Sequence, residues 1–254
     1  MSHKIWHMAS DNNSLGINWY SGDLILEAAP PATGKTLFAI QACLSAIEHR
    51  ISPIVYFTLE CSQWHISNVI FRHQLGNAPN SEGIPSLGQL PEQPIIVEEL
   101  PYATIDGLIT RILYYVKERA VKMVVVDCLQ NIDTSVFGKF WSSESRMEKC
   151  LEHLKTLAKT CDIIALVTSE MSLHYTFDKV PSSRDILDVP FAEEICDQVL
   201  LHYTPDWLEK PNLRKIIVVN GDHYYERDIT IDVEYDPETV SLKFLGSDEE
   251  DDLP

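Results

Sequence analysis

Residues 23–36 read Asp23-Leu-Ile-Leu-Glu-Ala-Ala-Pro-Pro-Ala-Thr-Gly-Lys-Thr36. The first six, DLILEA, read as a buried strand. The last residue opens a segment, 36–49, in which Leu37, Ile40, Cys43, Leu44 and Ile47 recur at helical spacing. A strand, a tight loop and a helix start in that order are the context in which G-x-x-x-x-G-K-[ST] cradles phosphate. Ala29, Pro30, Pro31, Ala32, Thr33, Gly34, Lys35 and Thr36 fill the pattern everywhere but its first place, where Ala29 stands for glycine. A chance Gly-Lys-Thr is the bland alternative, and the correct flanking elements argue against it. The physics of such a loop is specific: backbone N–H groups and the helix N-terminus face the phosphates. Gly34 permits close approach, Lys35 reaches the β- and γ-phosphates, and the Thr36 hydroxyl ligates Mg²⁺. The expected ligands are therefore ATP and Mg²⁺.

Outward from this loop, strands and helices alternate. Strands are expected at 53–58, 95–98, 122–126 and 162–168, with helices at 62–74, 104–118 and 144–160. Residues 76–94, rich in Gly, Pro, Asn and Ser, read as a loop. Beyond residue 195 come four strands without helices (198–203, 215–219, 228–235 and 240–244), and Asn220-Gly221 is a hairpin turn signal. The expected fold is α/β: a mostly parallel central sheet with helices on both faces and a C-terminal antiparallel extension. Residues 1–21 read as a leader, 22–245 as the nucleotide-binding domain and 246–254 as an acidic disordered tail.

Two carboxylates stand where such a site needs them. Asp127 follows the apolar run 123–126, and an aspartate at the carboxyl end of a buried strand suits a Walker B residue holding Mg²⁺. Glu60 follows the second strand, and neighbouring strands deliver residues to the same crevice at their carboxyl ends. From there it can act as general base on the attacking water. Taken singly, each could equally cap a helix or face solvent.

Composition narrows the partners. The 254 residues suit one large domain, and with 45% hydrophobic residues a sizeable core can form. A net charge of −18 makes the chain a poor general binder of phosphate backbones, since that affinity comes from Lys and Arg, so any nucleic-acid contact is local, shared with a partner, or absent. Six cysteines without C-x-x-C or zinc spacing read as reduced core residues of a cytoplasmic protein, and neither a signal peptide nor a membrane span is visible.

With these pieces placed, the chain resembles the ATPase domain of DnaB-type replicative helicases, a RecA-like group. GDLILEAAPPATGKT matches that family's strand and P-loop. IVYFTLECS is similar to its V-x-Y-F-S-L-E-M-S, and KMVVVDCLQNI to its I-V-I-D-Y-L-Q-L-I. PSSRDILDVPFAEEICDQVLL follows the family without a gap, pairing Asp185 and Asp197 with its aspartates. The resemblance covers roughly 22–244 and implies a RecA-like P-loop fold, catalysis by Glu60, Walker B at Asp127, and a nucleotide-contacting glutamine at Gln130. It implies work in DNA replication or recombination as a homo- or hetero-oligomer, ring or filament, beside replication or recombination proteins. With only about 20 residues before the P-loop strand, the family's N-terminal helical domain is not expected here.

Three positions depart from the family. Its Lys and Arg that reach a neighbouring subunit's ATP fall on Asp222 and Tyr224, with Arg227 nearby. Its sensor glutamine falls near Thr168 or Ser169, and its first P-loop glycine is Ala29. An arginine finger is typically worth roughly 10³–10⁵ in rate. A second expectation therefore stands beside the first: a degenerate ATPase that binds nucleotide with little turnover and serves as a regulatory, loader or structural subunit. Loops 134–143 and 171–183 correspond to the family's grip on single-stranded DNA. Their cations are Lys139 and Lys179, and Phe137, Phe140, Trp141, Tyr175 and Phe177 either offer stacking faces to bases or simply pack the loops or a subunit interface.

Overall fold

In the computed structural model, the structure describes residues 5–10, 13–75, 94–138, 140–172, 175, 179–206, 208–221, 229–236 and 241–248. In chain order the elements are β1 (Ile5–Ser10), β2 (Asn13–Tyr20), β3 (Leu24–Ala29), α1 (Lys35–Glu48), β4 (Ile54–Thr58), α2 (Gln63–Leu75), β5 (Ile95–Glu99) and α3 (Ile105–Arg119). There follow β6 (Met123–Asp127), α4 (Ser143–Cys161), β7 (Ile164–Glu170), β8 (Gln198–Tyr203), β9 (Leu213–Asn220), β10 (Ile229–Asp236) and β11 (Ser241–Asp248).

Among the described residues, nine strands form one sheet in the order β11-β10-β9-β8-β3-β7-β6-β4-β5. The six from β8 to β5 run parallel, and β9, β10 and β11 extend the sheet antiparallel from β8. This is the expected architecture. β3 lies among parallel neighbours on both sides, so all six of its residues are buried, and the sequence correspondingly shows an unbroken run rather than alternation. Two buried clusters sandwich the sheet. One joins Leu24, Leu26 and Val126 to Ile105, Leu108 and Ile112 of α3 and to Leu151 and Leu154 of α4. The other joins Ile25, Val125 and Leu166 to Phe38 and Ile40 of α1 and to Ile66 and Ile70 of α2.

The helices start where side chains satisfy their open amides. Thr104 accepts a hydrogen bond from the Gly107 amide at 3.1 Å, Ser142 from Ser145 at 3.1 Å, and Ser62 from His65 at 3.2 Å. α1 is the exception: it has no side-chain cap and no acidic residue in its first turn.

Three outcomes differ from the sequence reading. The stretch 1–21, expected as a leader, holds the antiparallel pair β1–β2, with Ile17 and Trp19 fully buried. The Trp19 indole donates to Gln198 Oε1 at 2.9 Å, and Gln198 in turn donates to Asn220 Oδ1 at 2.8 Å, so the pair is tied into the main core. The burial of Trp19 depends on a partner 179 residues away, which the local sequence does not show. Second, Asn220-Gly221 does not make a two-residue turn, because β10 begins only at Ile229, opposite Val218. Gly221 serves close packing instead: its amide donates to Asp197 O at 2.8 Å, and a Cβ there would sit 2.2 Å from Cys196 O. Third, β11 extends through Asp248, paired with Thr230, so 246–248 belong to the sheet, and 249–254 lie outside the described residues. The expected loop at 76–94 lies outside them as well except for Pro94.

Candidate nucleotide-binding site

The phosphate-type loop sits at the carboxyl end of β3, in the middle of the sheet. Ala29 stays in the strand, opposite Glu170, and the left-handed conformations fall on Ala32 (φ 61°) and Gly34 (φ 100°). The missing first glycine is therefore tolerated, because no positive φ is required at position 29. Within the loop the Thr33 hydroxyl donates to Pro30 O at 2.6 Å, and the Phe38 amide donates to Gly34 O at 2.9 Å to begin α1. The uncapped first turn of α1 leaves its amides facing the loop.

Beneath the loop lies Asp127, the last residue of β6 and almost wholly buried. Three hydroxyls from three elements donate to its carboxylate: Thr36 to Oδ2 at 2.8 Å, Tyr56 of β4 to Oδ2 at 2.7 Å, and Thr168 of β7 to Oδ1 at 2.5 Å. Burial, and then the negative charge of Asp127, push the Tyr56 phenol well above its ordinary pKa, so it is a fixed donor. Thr36 and Asp127 present hard oxygen atoms side by side, the donor chemistry that suits Mg²⁺.

A cavity of about 410 Å³ opens above these groups. Gly34, Lys35, Thr36 and Glu60 all line it, so the loop and the carboxylate after β4 share one space. Two groups line it that the sequence did not single out. Glu170, the last residue of β7, brings a carboxylate oxygen to 3.7 Å from the Lys35 ammonium. Arg214 of β9 donates from Nη1 to Thr33 O and lies over the Tyr235 ring, 4.7 Å from its centroid. Burial lowers the pKa of this guanidinium, a sign of how far it is drawn in against the loop.

Below the loop, Glu27 and His202 are both almost completely buried, with Oε1 and Nε2 3.4 Å apart. Burial, reinforced by Asp127, raises the Glu27 pKa well above the usual carboxylate range. Burial also brings His202 down to about 3, with Arg214 and Lys35 adding to the effect. Burial thus disfavours the charged form of each group where the two face each other. A Glu inside the apolar run LILEAA was the available signal, but nothing in sequence pairs it with residue 202.

Other expected site residues fall elsewhere. Gln130 does not line the cavity: its side-chain amide donates to Ser169 Oγ at 2.9 Å and Leu187 O at 3.0 Å, and accepts from the Glu170 amide at 3.2 Å. Asp185 caps the turn at 182–185, where the Ser182 amide reaches it at 2.8 Å, and Asp197 receives Lys155 and the Leu24 amide. Asp222, Tyr224 and Arg227 lie outside the described residues, as do Lys139 and Phe177. Of the other aromatics expected to stack on bases, Tyr175 is buried and donates to Lys179 O at 2.8 Å. Phe137 and Trp141 stack on each other at 6.2 Å, and Phe140 is fully exposed. Lys179 is engaged by Asp185 at 3.0 Å. Among the described residues no helix is long and apolar enough to cross a membrane, and no cluster of His, Cys, Asp or Glu could hold a metal by itself.

The family described as the DnaB-like helicase C-terminal domain matches residues 11–243. The replicative DNA helicase DnaB of Geobacillus stearothermophilus is 25% identical over 213 residues, covering 77% of this chain and 46% of that protein. That of Leifsonia xyli is 26% identical over 213 residues, again 77% of this chain and 45% of the relative. The chain thus spans about half the length of these relatives. Among solved structures, one described as an ATPase domain superposes with a TM-score of 0.73 at 16% identity, covering 90% of this chain and 86% of that one. A DnaB-like replicative helicase, described with its primase interactions, reaches a TM-score of 0.72 at 16% identity over 87% of this chain and 57% of that one.

Proposed function

The chain belongs to the DnaB-like helicase C-terminal domain family, and on that premise we propose that it binds Mg-ATP and hydrolyses it as an oligomer in DNA replication or recombination. The observation that carries this is the convergence of Lys35, Thr36 and Glu60 on one cavity, with Asp127 hydrogen-bonded to Thr36 beneath it. The loop amides and Lys35 hold the phosphates, Thr36 and Asp127 hold the metal, and the Arg214–Tyr235 plate offers a flat face to the base. Mg²⁺, when bound, neutralises charge on the phosphate oxygens. Glu60 takes the proton of the attacking water, and the Asp127 carboxylate is kept in one orientation by Tyr56 and Thr168. The exposed Phe140 and the loops around it are the face offered to single-stranded DNA.

Calorimetry with Mg-ATP analogues and a turnover assay with and without single-stranded DNA test this. Lys35→Ala should weaken binding by at least about a hundredfold, the loss of a charge-assisted contact. Glu60→Gln should keep binding and lose about 10²–10⁴ in turnover, the usual worth of a general base. Absence of nucleotide binding by the wild-type protein would overturn the proposal.

A second reading rests on Asp222 and Tyr224, which stand where the resembled family has Lys and Arg. A chain that holds nucleotide tightly and turns it over only when another subunit donates a cation would serve as a regulator or loader. Turnover restored by mixing with a partner helicase, and absent alone, distinguishes it.

A further inference from the structure

Glu170 has no part in the proposed chemistry, yet it occupies the most sensitive place in the cavity. It ends β7 directly opposite Ala29, the first residue of the loop. Its backbone is fixed on both sides: the amide donates to Gln130 Oε1 at 3.2 Å, and the carbonyl accepts from the Leu187 amide at 2.8 Å. The Met171 amide that follows donates to Ala29 O at 3.1 Å. The carboxylate is thereby held at 3.7 Å from a Lys35 ammonium that is nine-tenths buried. A lysine so placed has few ways to be satisfied, and here a carboxylate provides the negative charge that a phosphate would bring.

The charge balance of the lining sharpens the point. Lys35 and Arg214 supply two positive charges, and Glu60 and Glu170 supply two negative ones. A cavity for a highly anionic triphosphate therefore offers no net positive potential from these side chains, and Asp127 below adds a further negative charge.

We propose that Glu170 is a built-in competitor for the terminal phosphate, holding the Lys35 ammonium until a magnesium-bound triphosphate displaces it. This deepens the nucleotide-site proposal and rests on it. Two consequences follow from the electrostatics. Nucleotide without Mg²⁺ is rejected, because its full charge meets Glu170 and Glu60 together. The preference for triphosphate over diphosphate is also held down, because only the γ-phosphate must share its place with the Glu170 carboxylate.

The test compares wild type with Glu170→Gln, which keeps shape and removes charge, and with Glu170→Ser, which also removes reach. Calorimetry is run with ADP and with a non-hydrolysable ATP analogue, each with Mg²⁺ and with EDTA. Both variants should bind the Mg-ATP analogue roughly tenfold more tightly, as expected when a like charge a few ångströms away is removed. Their ADP affinity should change less, and analogue binding in EDTA should become measurable. Unchanged affinities and an unchanged ATP-to-ADP ratio in both variants, with wild type binding normally, overturn the competitor role while leaving the nucleotide site standing. Failure of wild type and both variants to bind any nucleotide overturns the two together, and is told apart by that pattern.

Discussion

The Thr36 hydroxyl and the Asp127 carboxylate, 91 residues apart in sequence, meet at 2.8 Å across the carboxyl ends of β3 and β6. This single hydrogen bond joins the phosphate loop to the strand that carries the metal-type carboxylate. Thr36→Val deletes it but leaves Tyr56 and Thr168 on Asp127. The expected result is a stability loss of about 1 kcal/mol, one hydrogen bond out of three. Mg²⁺-dependent nucleotide binding, followed by calorimetry against metal concentration, should weaken at least roughly tenfold.

Gly34 combines a backbone at φ 100° with a close neighbour: a Cβ there would stand 2.7 Å from Arg214 Nη1. Gly34→Ala should cost about 1–3 kcal/mol in urea unfolding, from the left-handed backbone and the displaced guanidinium together. Adding Arg214→Ala relieves the second part only. The double variant should therefore lose less than the sum of the singles, and strict additivity would argue that the arginine is not pressed against the loop.

The Glu27–His202 pair sets opposite limits on pH stability. His202 has a folded pKa of about 3, below its unfolded value, so its contribution is complete at neutral pH. It is lost as the pH falls from about 6.5 toward 3, because only the unfolded chain takes up the proton. Glu27, with its folded pKa raised, contributes fully below its unfolded value and loses stability as the pH rises. Thermal melting across pH 4–9 should show His202→Phe removing the stability lost on acidification below about 6.5, and Glu27→Gln removing a loss that sets in as the pH rises above about 4.5. The double variant Glu27→Leu, His202→Phe should be neutral or more stable by about 1–3 kcal/mol, as when a buried polar pair is replaced by apolar packing.

Gly221→Ala tests the seam between β8 and β9. Its Cβ would lie 2.2 Å from Cys196 O, a backbone atom that cannot step aside as a side chain could. A loss of about 3 kcal/mol or more is expected in chemical denaturation, in the range of severe overpacking. A near-neutral result would mean that the turn after Asn220 packs differently.

The alternation of strands and helices, the loop 29–36 and the strand ends that carry Glu60 and Asp127 were legible from the amino-acid order alone. Those signals are local: an apolar run, a helical period and a phosphate-loop pattern each occupy fewer than about twenty residues and depend on no distant partner. Even there the hairpin at residues 5–20 escaped, since its burial depends on Trp19 meeting Gln198. The tertiary structure alone decided that Arg214 reaches Thr33 from 181 residues away, that Glu170 faces Lys35, and that Glu27 lies against His202. Each of these follows from strand order and register, with β7 and β8 flanking β3 and β9 folding back antiparallel. A period of two tells which residues share a face, but it does not say which strand lies next to which. For that reason the loop could be found in the sequence, whereas the charges gathered around it could not.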